Sequence, residues 1–204
     1  MVEPGVVPLK EVPEAEGKGE VSLLKQAQAL GLPVVPTWVV GLEAEFFRLN
    51  NLEERIQNLF RGVFGVRIDE ERLLLGAEEA RRAVRESYLL PERAEAFLRT
   101  LEGRGPFLLR YAGEGAPKRA AHPREALFAL KRLYEARFRV EAILERYPDL
   151  IPPFAPVLVQ EVDPGEGLQE DPFLSLDLSR ALGREVVVYA ARGQVVRIES
   201  PYGG

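Results

Sequence analysis

Sixteen prolines and eighteen glycines punctuate this 204-residue chain, so it has no room for a single long coiled coil. It must fold from short elements packed on one another. With 46% hydrophobic and 29% charged residues, it belongs with globular rather than disordered chains. A chain of this size buries roughly 70% of the surface that its unfolded form exposes. That suits one large domain or two small ones.

Residues 1–16 hold three prolines and four glutamates, and read as an irregular lead-in with a short edge strand over 5–9. A Gly17-Lys18-Gly19 loop then enters residues 21–30. Apolar side chains at 21, 23, 24, 27 and 30 have helical spacing there, and Gly31 and Pro33 stop the helix. Residues 37–40 (TWVV) are a β-branched and aromatic run that predicts a strand. A mostly helical region follows: 42–49 and 52–60, separated by Asn50-Asn51, then 78–88 and 92–101, with 62–69 open to either reading.

Residues 106–111 (PFLLRY) form a short apolar run between breakers and predict a buried strand. A loop is expected over 112–121. His122-Pro123 then opens what reads as the longest helix, running to about Arg146. Its polar wedge is Lys131, Arg132, Glu135 and Arg139, opposite Leu130, Leu133, Val140, Leu144 and Tyr147. A proline-rich bend at 148–156 leads to a strand at 157–162 (VLVQEV) and a loop at 163–172. Residues 185–190 and 194–199 then pair as a hairpin. Helices in the middle flanked by strands predict an α+β fold.

The net charge of −5, from 27 basic and 32 acidic residues, supplies no field for indiscriminate nucleic-acid binding. No apolar stretch approaches the ~18 residues of a membrane span, and the first ten residues have neither a basic start nor an apolar run. No membrane partner is expected, and the expected compartment is the cytoplasm. The absence of cysteine excludes disulfides, thiol catalysis and Cys-ligated metal. Arginine outnumbers lysine 22 to 5, with one Met and three Asn. Heat adaptation or a GC-rich genome would each produce that bias.

Few residues are candidates for chemistry. Glycines at 17 and 19 would let the backbone approach an anion at a helix N-terminus, and Lys18 would add a point charge for phosphate. The loop is not a P-loop, because Glu20 stands where a Ser or Thr would follow. Arg110, in an otherwise apolar strand, must either meet a carboxylate or project into a cleft where it could hold phosphate. Lys118, Arg119 and Arg124 extend the run of basic groups, and read as solvated loop charges. His122 is the only histidine, and its place before Pro123 suits a helix cap better than catalysis. Glu161, Asp163, Asp171 and Asp177 have no evident metal-pair spacing, so no metal ligand is assigned.

The stretch GKGEVSLLKQAQALGLPVVPTWVV, residues 17–40, resembles the opening of the nucleotide-binding domain of phosphoenolpyruvate synthase and pyruvate phosphate dikinase. The match rests on Gly17, Lys18, Gly19, Leu24, Gly31, Pro33, Pro36, Trp38 and Val39. Residues 107–111 (FLLRY) are similar to that family's strand ending in Val-Arg-Ser, with Arg110 at its phosphate-binding arginine. Residues 157–162 look like its strand ending in Val-Gln-x-Val, which leads to the adenine hinge. The resemblance spans about 16–163 and implies the N-terminal lobe of an ATP-grasp fold, with a helical insertion over about 42–103. The remainder, 164–204, would be a short loop and β-hairpin on the same domain.

That resemblance implies ATP as ligand, with magnesium. Gly17, Lys18, Gly19 and Arg110 would hold its phosphates, and the backbone of Gln160, Glu161 and Val162 would edge the base. Two departures bear on activity. Residues 112–121 read AGEGAPKRAA where the family carries a Ser-Phe-Ala-Gly cover, and no second-lobe magnesium motif follows. Phosphoryl transfer depends on positioning and on metal charge neutralisation. The expectation is therefore a nucleotide-binding module with no standalone activity, completed by a second copy or another chain. The alternative is a non-catalytic interaction or regulatory protein that kept the fold and lost the site. An active form would be an ATP-dependent phosphotransferase of the dikinase type.

Overall fold

The computed structural model describes residues 5–13, 19–163, 165 and 167–201. The fold is mixed α+β, with two antiparallel sheets. Across the larger sheet lie β1 (Val6–Pro8), β2 (Thr37–Val40), β5 (Val157–Glu161), β3 (Phe107–Tyr111) and β4 (Lys118–Ala120), in that spatial order. The smaller sheet runs β6 (Gln169–Glu170), β7 (Val187–Ala191), β8 (Gln194–Glu199). The helices are α1 (Gly19–Ala29), α2 (Glu43–Leu49), α3 (Leu52–Leu59), α4 (Glu70–Glu86), α5 (Pro91–Thr100), α6 (Pro123–Ala136), α7 (Val140–Arg146) and α8 (Pro172–Leu182). No described helix is long and apolar enough to cross a membrane.

Successive side chains of a strand point to opposite faces, and here that alternation separates two cores. Trp38 and Val40 of β2, Phe107, Leu109 and Tyr111 of β3, and Val157 and Val159 of β5 all face one way. They pack with Phe46, Phe97, Leu130 and Tyr134 from the helices. Leu158 of β5 faces the other way, into a second core with Leu24 of α1, Leu178 of α8, and Val188 and Val195 of the small sheet. The same parity puts Arg110 and Gln160 on this second face, both buried. Backbone hydrogen bonds tie β8 to the segment that leads into β2: Val195 N donates to Pro33 O at 2.7 Å, and Val35 N donates to Val195 O at 3.0 Å.

The structure corrects several local expectations. The segment from His122 is two helices, with a break at Arg137-Phe138-Arg139; there Phe138 is fully buried and the Arg137 side chain reaches across to Glu43. The longest helix is instead α4, of 17 residues, which starts at Glu70 because Asp69 accepts from Arg72 N. Its Gly76 resembles a breaker but lies against Phe60, where a Cβ would stand 3.1 Å from the ring. The expected loop over 112–121 contains the edge strand β4, and that over 163–172 contains β6. The helix α8 was not foreseen. Asp171 caps it by accepting from Phe173 N and Leu174 N, and Gly183 ends it at φ +69°.

Candidate functional site

The expected phosphate ligands start at the N-terminus of α1. Gly17 and Lys18 lie outside the described residues. Gly19 is the first residue of α1, at φ +54°, and lines a largely apolar cleft of about 690 Å³. The cleft's walls include Val7 of β1, Val39 of β2, Ala112-Gly113 after β3, and Phe154 and Pro156 of the proline-rich bend.

Glu20 also lines this cleft, and its carboxylate is the centre of the site. It is only 5% exposed, and Arg110 only 3%. Arg110 Nη1 and Nη2 each donate to one Glu20 oxygen, the Nη2 contact at 2.7 Å. Gly113 N donates to Glu20 Oε1 at 2.9 Å, and Ile198 N to Oε2 at 3.0 Å. Arg110 also donates to Glu114 O and to Val196 O, both at 3.2 Å. All four terminal N–H groups of the guanidinium are thus accounted for, and each carboxylate oxygen accepts two bonds. The first turn of a helix favours a carboxylate, which adds to the stability of the arrangement.

Gln160 lies two strand positions from Leu158, the cross-strand partner of Arg110, and turns toward the same acceptor. Its Nε2 donates to Val196 O at 2.7 Å and to Thr37 Oγ1 at 3.3 Å, while its Oε1 is buried with no protein partner. Glu161 N donates to Pro36 O at 2.9 Å, and Val162 N donates to Pro106 O at 3.2 Å. The Glu161 carboxylate takes Arg104 Nη1 at 2.9 Å and Gly105 N at 2.8 Å. Of the expected site residues, Arg110 and Gln160 therefore converge, but on a β8 carbonyl. Among the described ones only Gly19 lines the cleft, and the N–H groups of Glu161 and Val162 already have partners.

A second buried carboxylate, Glu43, lines the cleft from the start of α2. It accepts from Tyr111 Oη, from Arg137 Nη1 at 2.9 Å and from Ala155 N at 3.1 Å. The Arg137 guanidinium lies 3.9 Å over the Tyr111 ring, and also donates to Pro153 O at 2.9 Å. Burial holds the Glu43 carboxyl above its ordinary range, with Arg137 opposing. Burial, then the Glu43 charge, raises the Tyr111 phenol, and burial followed by repulsion from Arg137 lowers Arg146 to about 10.

His122, Asp163 and Asp171 have local roles. His122 Nδ1 accepts from Glu125 N at the start of α6, as a cap does. Asp163 Oδ1 accepts from Gly165 N, and Asp171 caps α8. Among the described residues no group of three or more His, Asp or Glu is placed to hold a metal. The sequence reading did not foresee the roles of Glu20 and Glu43. The available signal was an acid set among apolar residues, before Val21, Leu23 and Leu24 in one case and between Leu42 and Phe46 in the other. A scan against protein-family models finds no match for the chain, and a search of curated proteins finds none either.

Proposed function

We propose that this chain is a non-catalytic interaction or regulatory protein on an ATP-grasp-like lobe, in which Glu20 fills the place that the resemblance gives to a nucleotide phosphate. The Glu20–Arg110 pair carries this reading. A polyphosphate seeking Arg110 would have to displace a buried carboxylate that already has four donors, and would leave that charge unpaired. The backbone N–H groups of Glu161 and Val162, which the resemblance turns toward a base, are bonded within the protein.

Calorimetric and thermal-shift titrations with ATP and magnesium test it. The wild type is expected not to respond, whereas Glu20→Ala, with its anion slot open, should be stabilised by ATP or inorganic phosphate. Stabilisation of the wild type by ATP, lost in Lys18→Ala, would overturn the reading. That outcome would favour the second reading, a nucleotide-binding module. One observation speaks for it: the cleft of about 690 Å³ opens beside Gly19, directly after the Gly17-Lys18 pair.

A further inference from the structure

On the exposed face of α6, Phe128 stands 66% exposed and lines a surface groove of about 670 Å³. Four cationic side chains line the groove: Arg119 from β4, Arg85 from the last turn of α4, and Lys131 and Arg132 from α6. Glu125 and Glu135 are its only carboxylates among the described lining residues. Both already have partners. Glu125 Oε2 accepts from Ala121 N at 2.6 Å, and Glu135 pairs with Arg85.

The Lys131 ammonium donates to Arg85 O at 2.8 Å, and partial burial lowers its affinity for its proton. Arg119 and Arg132 make no ion pair with any described residue and are exposed. A chain of net charge −5 therefore gathers a local cationic excess around an exposed aromatic ring. The four cations outnumber the two carboxylates of the lining, and Phe128 adds an exposed apolar surface beside them.

We propose that this groove docks an acidic peptide segment of a partner protein, an extended run of Asp and Glu residues flanking one apolar side chain. The carboxylates pair with Arg119 and Arg132, and the apolar residue covers Phe128. Charge complementarity sets the sign of the ligand. A continuous phosphate backbone would run past Glu125 and Glu135, whereas a peptide can set its carboxylates beside Arg119 and Arg132 and its apolar side chain on Phe128. The proposal rests on the interaction-protein reading and names the chemistry of the partner.

The test is fluorescence anisotropy with the full chain and a labelled peptide of Glu and Asp around one leucine. Comparison probes are the same peptide with serine for leucine, and a single-stranded RNA of matched length. The wild type should bind the leucine peptide in a salt-sensitive manner. The double variant Arg119→Glu, Arg132→Glu should weaken that binding by roughly tenfold or more. Phe128→Ser should remove the preference for leucine over serine. These side chains are exposed, so the thermal midpoint of each variant should match the wild type.

Absence of peptide binding, equal binding by the variants, or tighter binding of RNA through the same arginines would overturn the proposal. The nucleotide titration reads the cleft beside Gly19, which shares no described lining residue with the groove. Unresponsiveness to ATP together with no peptide binding would sink the groove alone, while an ATP response would sink the broader reading whatever the groove binds.

Discussion

Glu20 and Arg110, ninety positions apart, close a two-armed ion pair inside the protein, and every oxygen and terminal nitrogen of the pair has a further backbone partner. The pair joins α1, β3, the loop after β3 and β8 at one point. A buried ion pair is a costly way to hold elements together unless its geometry is complete, because each charge loses its hydration. Here it is complete. The pair is therefore expected to fix how the small sheet sits on α1 and the large sheet.

Removing either partner should leave an uncompensated buried charge. Glu20→Leu or Arg110→Met alone is expected to cost roughly 3–5 kcal/mol, whereas the double variant should cost less than the sum and less than the worse single. Chemical denaturation of the four proteins measures this cycle. Strict additivity would mean that the two side chains do not act as a pair.

Gln160 shares the Val196 carbonyl with Arg110. Gln160→Leu deletes one of the two donors to that oxygen and the contact with Thr37 Oγ1, with little change in volume. The expected loss is about 1–2 kcal/mol in urea unfolding. A neutral or stabilising result would show that the buried, unpartnered Oε1 costs as much as the Nε2 bonds contribute.

The pH dependence of stability should carry the mark of Glu43. Its folded-state value lies above the ordinary 4.5 because burial outweighs the attraction of Arg137. The native state then holds this proton more tightly than the unfolded chain does. Its contribution is fully present below about 4.5 and is lost as pH rises through the elevated value. Glu43→Gln cannot titrate, so the stability of wild type relative to this variant should fall as pH rises through that window. Parallel curves for the two proteins across the range would assign the raised value to another group.

Short apolar and β-branched runs between breakers made much of the fold legible. β2, β3 and β5 stand close to where the runs TWVV, FLLRY and VLVQE place them, and Asn50-Asn51 does separate α2 from α3. The start of α4 was hidden because Leu73-Leu74-Leu75 has no helical period, and only Leu73 of the three is buried. β4, three residues paired with β3, and β6, two residues paired with β7, are too short and too polar to carry a strand pattern. At the site, the need of Arg110 for an anion could be read from its apolar strand. Which anion met it could not, because Glu20 reaches it only once α1 lies across the second face.

Asp171 offers a local test of the C-terminal region. Its Oδ1 accepts from Phe173 N and Leu174 N, each at 3.0 Å, while its own N–H donates to Val188 O at 2.8 Å. One side chain thus starts α8, and its backbone anchors that start to β7. Asp171→Ala should cost about 1 kcal/mol, and Asp171→Asn, which keeps an accepting oxygen, much less. Because α8 covers the second core only along Leu174, Leu178 and Leu182, amide exchange in residues 173–178 should rise before that of β3 or β5. Unchanged exchange in α8 with a lowered global midpoint would mean that the helix opens only with the whole molecule, and that the cap acts on global rather than local stability.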